Sequence, residues 1–204
     1  MVDLPAPAKK RVTRLRVIGC VLLLLLGAAI LIPGLLSSSR ASNHRSAATS
    51  LKTLTTAEMD FRANDRDWNG VNDYWVGDVS RLYYLETKGA QIQLIERSVA
   101  SADGAPSGKL PEPGTKAGYL YTAVKLDETG APYDEGKGRN TSKFAFCAYP
   151  REYRTETFFG GKLDATIFTF IVNEENTIWR KDLKGASIAK WPKDPLGEGW
   201  SKLD

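Results

Sequence analysis

The run Val17–Leu36 holds twenty residues without a charged side chain, and it constrains this chain more than any other stretch. A helix that crosses a bilayer needs ~20 mostly apolar residues, and the run has that length. Lys9, Lys10, Arg11, Arg14 and Arg16 stand immediately before it. Basic flanks stay cytoplasmic, so the sequence predicts a single-pass helix with the N-terminus inside and the rest of the chain translocated. The lipid bilayer is then a partner through 17–36. A cleaved signal peptide has a shorter apolar core of ~7–15 residues, and Ser37-Ser38-Ser39 is a weak cleavage site. A retained anchor is the stronger reading. Pro33-Gly34 predicts a kink at its outer end.

The formal charge is +4 and the pI about 9.0, but the excess is local. Residues 1–52 carry eight Lys or Arg against Asp3 alone, which leaves the remainder at −3 of the total. Nucleic-acid binding needs basic residues clustered on the folded domain, and here they belong to the helix flank, so no nucleic-acid partner is expected. The two cysteines, Cys20 and Cys147, cannot staple the C-terminal part, which must fold through its own core.

Beyond Pro33, Ala47, Leu51, Leu54, Glu58 and Phe61 recur every three or four residues, with Ala57 beside Glu58. That is one face of an amphipathic helix able to pack on a domain. The expected organisation is a basic cytoplasmic tail over 1–16, a transmembrane helix over 17–36, its continuation over 37–63 and an α+β head over 64–204. His44 is the only histidine. It is read as a solvated residue beside the bilayer, which leaves the head without the histidine that Ser–His or Cys–His chemistry requires.

Residues 64–75, Asn-Asp-Arg-Asp-Trp-Asn-Gly-Val-Asn-Asp-Tyr-Trp, place Asp65, Asp67 and Asn69 alternately, then Gly70, then Asp73. Ca²⁺ takes six to eight oxygens, and alternating carboxylates on a loop that turns sharply at a glycine face one centre. The pattern resembles the loops of EF-hands, dockerins and thrombospondin type 3 repeats. It departs from the EF-hand at the twelfth position, where Val76 replaces the bidentate acid, and Asp73 or Asp78 could complete the shell. The metal expectation is a structural Ca²⁺ on Asp65, Asp67, Asn69 and Asp73. The competing reading is a loop of Asx turns.

Asp78 can cap a helix over Val79–Glu86, and a second short helical piece covers Gln93–Ser101. The density of Gly and Pro between Ala102 and Gly118 marks a loop. Alternation predicts strands over Tyr119–Leu126, Lys143–Tyr149, Thr166–Asn173 and Thr177–Asp182, with a turn at Glu174-Glu175-Asn176. Cys147, between Ala145 and Tyr149, reads as a buried inert thiol. Trp191, Pro192, Pro195 and Trp200 read as a strap across the sheet.

The stretch Leu31-Ile-Pro-Gly-Leu-Leu-Ser-Ser-Ser-Arg40, continuing to Thr55-Thr-Ala-Glu58, resembles the first helix of type IV pilins and type II secretion pseudopilins. Those proteins have an apolar stretch ending in proline, then a small-and-polar helical stretch leading to a sheet. The hairpin Thr169–Trp179 is also similar to the last hairpin of pilin-like proteins. The resemblance implies a bacterial protein of the inner membrane with its head on the periplasmic side. It implies a long N-terminal transmembrane helix packed on a four-stranded antiparallel sheet, and pilus or secretion-system subunits as partners. The assembly code differs. The glycine before the family's peptidase cut is Arg11 here, and the glutamate that pairs with a neighbour's free amine is Arg16, which would repel it.

The sequence thus predicts a non-enzymatic, pilin-like protein displaying a small head, a component or relative of pilus or type II secretion systems. The alternative is a stand-alone, anchored, calcium-stabilised binding module that does not assemble.

Overall fold

The computed structural model describes residues 9–203 apart from 88, 109–111, 154–156, 159–160 and 163–166. It leaves out the side chains of 9–16, 24–26, 28–37, 87, 157–158 and 161–162. The expected tail over 1–8 and the strand start at Thr166 lie outside the described residues. The chain divides into two compact units, Met1–Ala41 and Ser42–Asp204.

Helix α1 (Lys9–Ala63) is 55 residues long and continuous through Pro33 and Gly34. Among the described residues no helix is long and apolar enough to cross a membrane. That overturns the transmembrane helix expected over 17–36, and with it the single-pass placement in the bacterial inner membrane.

The second unit is α+β. After α1 come β1 (Tyr74–Trp75), a 3-10 helix (Ser80–Tyr83), β2 (Leu85–Thr87), β3 (Ala90–Ile92) and α2 (Arg97–Ser101). Then follow β4 (Tyr119–Ala123), β5 (Arg139–Asn140), β6 (Ala145–Pro150), β7 (Thr157–Phe158), β8 (Gly161–Lys162), β9 (Thr169–Asn173), β10 (Trp179–Lys181) and β11 (Ser201–Lys202). The main sheet has five strands in the order β11-β10-β9-β6-β4, every neighbouring pair antiparallel. The expected four-stranded sheet is corrected by β11, two residues beside Trp200 that pair Lys202 with Trp179. The helix expected over Val79–Glu86 is a four-residue 3-10 turn followed by the β2–β3 hairpin.

Central strands β6 and β9 are buried on both faces. Phe144, Phe146 and Ala148 fill one side and Ala145 and Cys147 the other, and every residue of β9 is buried. The face of α1 read from its spacing enters the same core, with Ala47, Leu51, Leu54, Ala57, Glu58 and Phe61 all buried. His44, expected to be solvated, is half-buried, with its ring edge-on to Phe168 at 5.5 Å, Phe170 at 5.7 Å and Tyr119 at 6.3 Å. Of the residues expected to strap the sheet, Trp191 and Trp200 are both buried.

Candidate functional site at the end of the long helix

Helix α1 ends where the acidic loop begins. The Asn64 amide donates to the Asp60 carbonyl at 3.1 Å, and Arg66 grips the Asp60 carboxylate with two hydrogen bonds of 2.8 and 3.0 Å. The chain then takes positive φ at Asp65, Trp68 and Gly70 (42°, 56° and 80°). Left-handed backbone is costly for a bulky side chain such as tryptophan, so the curl must be imposed by what the loop binds to itself.

Asp65 holds the curl. One carboxylate oxygen accepts from the Asn69 amide at 3.1 Å and the other from Gly70 at 3.0 Å. Asn69 continues it. Its Oδ1 accepts from Val71 at 2.6 Å, and its Nδ2 donates to Asp73 Oδ2 at 2.9 Å and to Asp67 Oδ2 at 3.3 Å. Asp73 is buried, with 5% of its surface exposed.

Two further residues complete the cluster, and neither was assigned to it from sequence. Strand β5 pairs with β1 so that Arg139 stands opposite Trp75. This register brings its Nε onto the Asp67 carboxylate and 4.0 Å from Asp73. Glu58, on the buried face of α1, is fully buried and accepts a hydrogen bond from the Trp75 amide at 2.8 Å. Burial drives the proton affinity of Glu58 well above the carboxylate norm, the Trp75 hydrogen bond opposes this, and the Asp73 charge adds to it. Burial likewise raises Asp73; the Asn69 amide and Arg139 pull it down, and Asp67 and Asp65 push it up.

The four residues expected to hold Ca²⁺ therefore share one loop. Both Asp65 oxygens, Asn69 Oδ1, Asp67 Oδ2 and Asp73 Oδ2 accept from N–H groups, Asp67 Oδ1 accepts from none, and Arg139 and the Asn69 amide stand among the carboxylates. Among the described residues no three His, Cys, Asp or Glu side chains form a ready-made metal shell. Asp78 is engaged elsewhere. It accepts from the Trp75 indole at 3.2 Å, Arg81 at 3.1 Å and both the backbone and hydroxyl of Ser107. One signal for Glu58 was present in the sequence, a carboxylate in an apolar helical register. Arg139, far along the chain, carried none.

Comparison with known protein families, curated proteins and solved structures finds no match for this chain. The pilin resemblance rests on the residues quoted above.

Proposed function

We propose that this protein is a non-enzymatic subunit that assembles through its N-terminal helix and displays an α+β head, in the manner of pilins and pseudopilins. One observation carries the reading. Val17, Ile18, Val21, Leu22 and Leu23 are each between 48% and 71% exposed on α1. At 100° per residue these positions, with Cys20, surround the helix. A helix that is apolar on every side is stable in water only when other surfaces cover it. The occupant that fits is the same stretch on further copies of the chain. Like helices bundle by side-chain packing, and Gly19 and Gly27 leave open space for a neighbour's side chains. The expected departures, Arg11 and Arg16, lie outside this stretch.

Cys20 supplies the test, because it is exposed within the stretch while Cys147 is buried. Copper–phenanthroline oxidation of the full chain should give covalent dimers that Cys20→Ser abolishes, and light scattering should show an oligomer. A monomer without Cys20-linked dimers overturns the proposal and leaves the stand-alone module as the better account.

A further inference from the structure

We propose that a cleft in the head, walled by Trp75, Val76, Val124 and Tyr133 with Lys125 and Lys137 beside them, binds a small aromatic carboxylate. The inference goes beyond helix assembly and does not depend on it.

The cleft has a volume of about 300 Å³. Ligand pockets run from ~300 to 1,000 Å³, so this one suits a single small molecule. Its apolar part is fixed in place. Val76, Val124 and Tyr133 are buried members of the core. The Trp75 ring is wedged between two glycines, where a Cβ would stand 2.5 Å from it at Gly77 and 2.9 Å at Gly138. An aromatic wall held that closely loses no freedom when a ligand covers it.

The lysines are placed as firmly. Lys125 Nζ donates to the Gly77 carbonyl at 2.7 Å, which ties its ammonium to the cleft and leaves its other protons for a ligand. Lys137 has a left-handed backbone, with φ of 59°, between Gly136 and Gly138. Asp134 Oδ1 imposes that curl by accepting from the Gly136 and Gly138 amides at 2.7 and 2.9 Å. Backbone strain at a residue other than glycine gathers at ligand clamps. Among the described residues no carboxylate forms an ion pair with either lysine. Asp134 also lines the cleft, and one carboxylate against two ammonium groups leaves the site with positive charge.

That charge selects the ligand. An inorganic anion would leave the tryptophan wall uncovered, and a neutral apolar molecule would leave the lysines unmet. An aromatic carboxylate satisfies both, with its ring against Trp75 and its oxygens accepting charge-assisted hydrogen bonds from Lys125 and Lys137.

The experiment uses the full chain and para-fluorobenzoate, observed by fluorine NMR, with para-fluorobenzyl alcohol as the neutral counterpart. We expect the chain to broaden the carboxylate signal, benzoate to reverse the broadening by competition, and the alcohol to bind about fivefold more weakly or worse. Lys125→Gln and Lys137→Gln should each weaken carboxylate binding by about 2–5-fold, the range of an exposed ion pair, and the double variant by about tenfold. Both lysines are exposed, so the variants should melt as the unsubstituted chain does. An unbroadened carboxylate signal overturns the site. Equal binding of the alcohol overturns the role of the lysines. Binding that survives the double substitution places the carboxylate elsewhere on the chain and overturns the proposal as well.

Discussion

Trp75 and Arg139 face each other across a two-residue antiparallel bridge, and that register delivers a guanidinium to the end of a helix whose last residue is 76 positions earlier in the sequence. The pairing is locked from the tryptophan side. The indole lies against Gly77 and Gly138, and its N–H donates to the Asp78 carbonyl at 2.9 Å.

Removing the guanidinium leaves Asp67 and Asp73 without their cation in a half-buried setting. Arg139→Ala should destabilise the head by ~1–3 kcal/mol in urea denaturation without divalent ions. Arg139→Lys should recover only part, because a point charge cannot copy the planar fork.

A Cβ at Gly77 would stand 2.5 Å from the Trp75 ring, and one at Gly138 2.9 Å from it, at a φ of +76°. Gly138→Ala combines clash with backbone strain and should cost ~2–4 kcal/mol. Gly130→Ala is the control. It has a φ of +93° but meets nothing closer than the flexible Lys190 Nζ at 3.6 Å, and should cost only ~1 kcal/mol. Thermal melts of the two variants separate the contributions.

The Tyr121 hydroxyl is buried without a hydrogen bond, beside a Ser50 whose own hydroxyl donates to the Ser46 carbonyl at 2.9 Å. Tyr121→Phe removes an unpaired polar group and keeps the ring. Stability should hold or rise by up to ~1 kcal/mol, measured by urea denaturation.

Burial pushes the Cys147 thiol from an ordinary 9.0 up to about 12. The native state then holds a proton that the unfolded chain releases, so stability is full below pH 9 and falls as pH rises from 9 towards 12. The slope from this one group approaches ~1.4 kcal/mol per pH unit. Urea melts between pH 8 and 11 should show the decline. Cys147→Ala should flatten it down to what tyrosines such as Tyr121, itself raised to about 12, contribute.

If the chain assembles through its apolar stretch as proposed, a charge placed there should favour the monomer while sparing the head. Leu22→Lys or Leu23→Lys is expected to leave head melting unchanged and to shift light scattering towards the monomer.

Much of this architecture was legible because it is periodic. The three- and four-residue spacing from Ala47 to Phe61 names the buried face of α1, and alternation finds β4, β6, β9 and β10, with ends off by up to three residues. The pieces that escaped are too short to have a period. Strands β1, β5 and β11 have two residues each, and β2 and β3 three. Their pairing is decided by tertiary neighbours rather than by local preference. The site divides in the same way. The alternating acids announced the loop, and Glu58 was visible as an anomaly in an apolar register. Arg139 was invisible because only the β1–β5 register connects it to the loop. The membrane reading failed where it relied on counting apolar residues alone. His44 was misread because its aromatic surroundings come from β4 and β9, far along the chain.

The order of the sheet also sets a schedule. The buried face of α1 is complete by Phe61, but the strands that share its core include β9, which ends at Asn173, and β10, which ends at Lys181. A ribosome adding ~5–20 residues per second needs roughly 6–24 s to travel from one to the other. During that interval Leu51, Leu54 and Phe61 lack their final cover, so the nascent chain needs a protecting hand for longer than its small size would suggest.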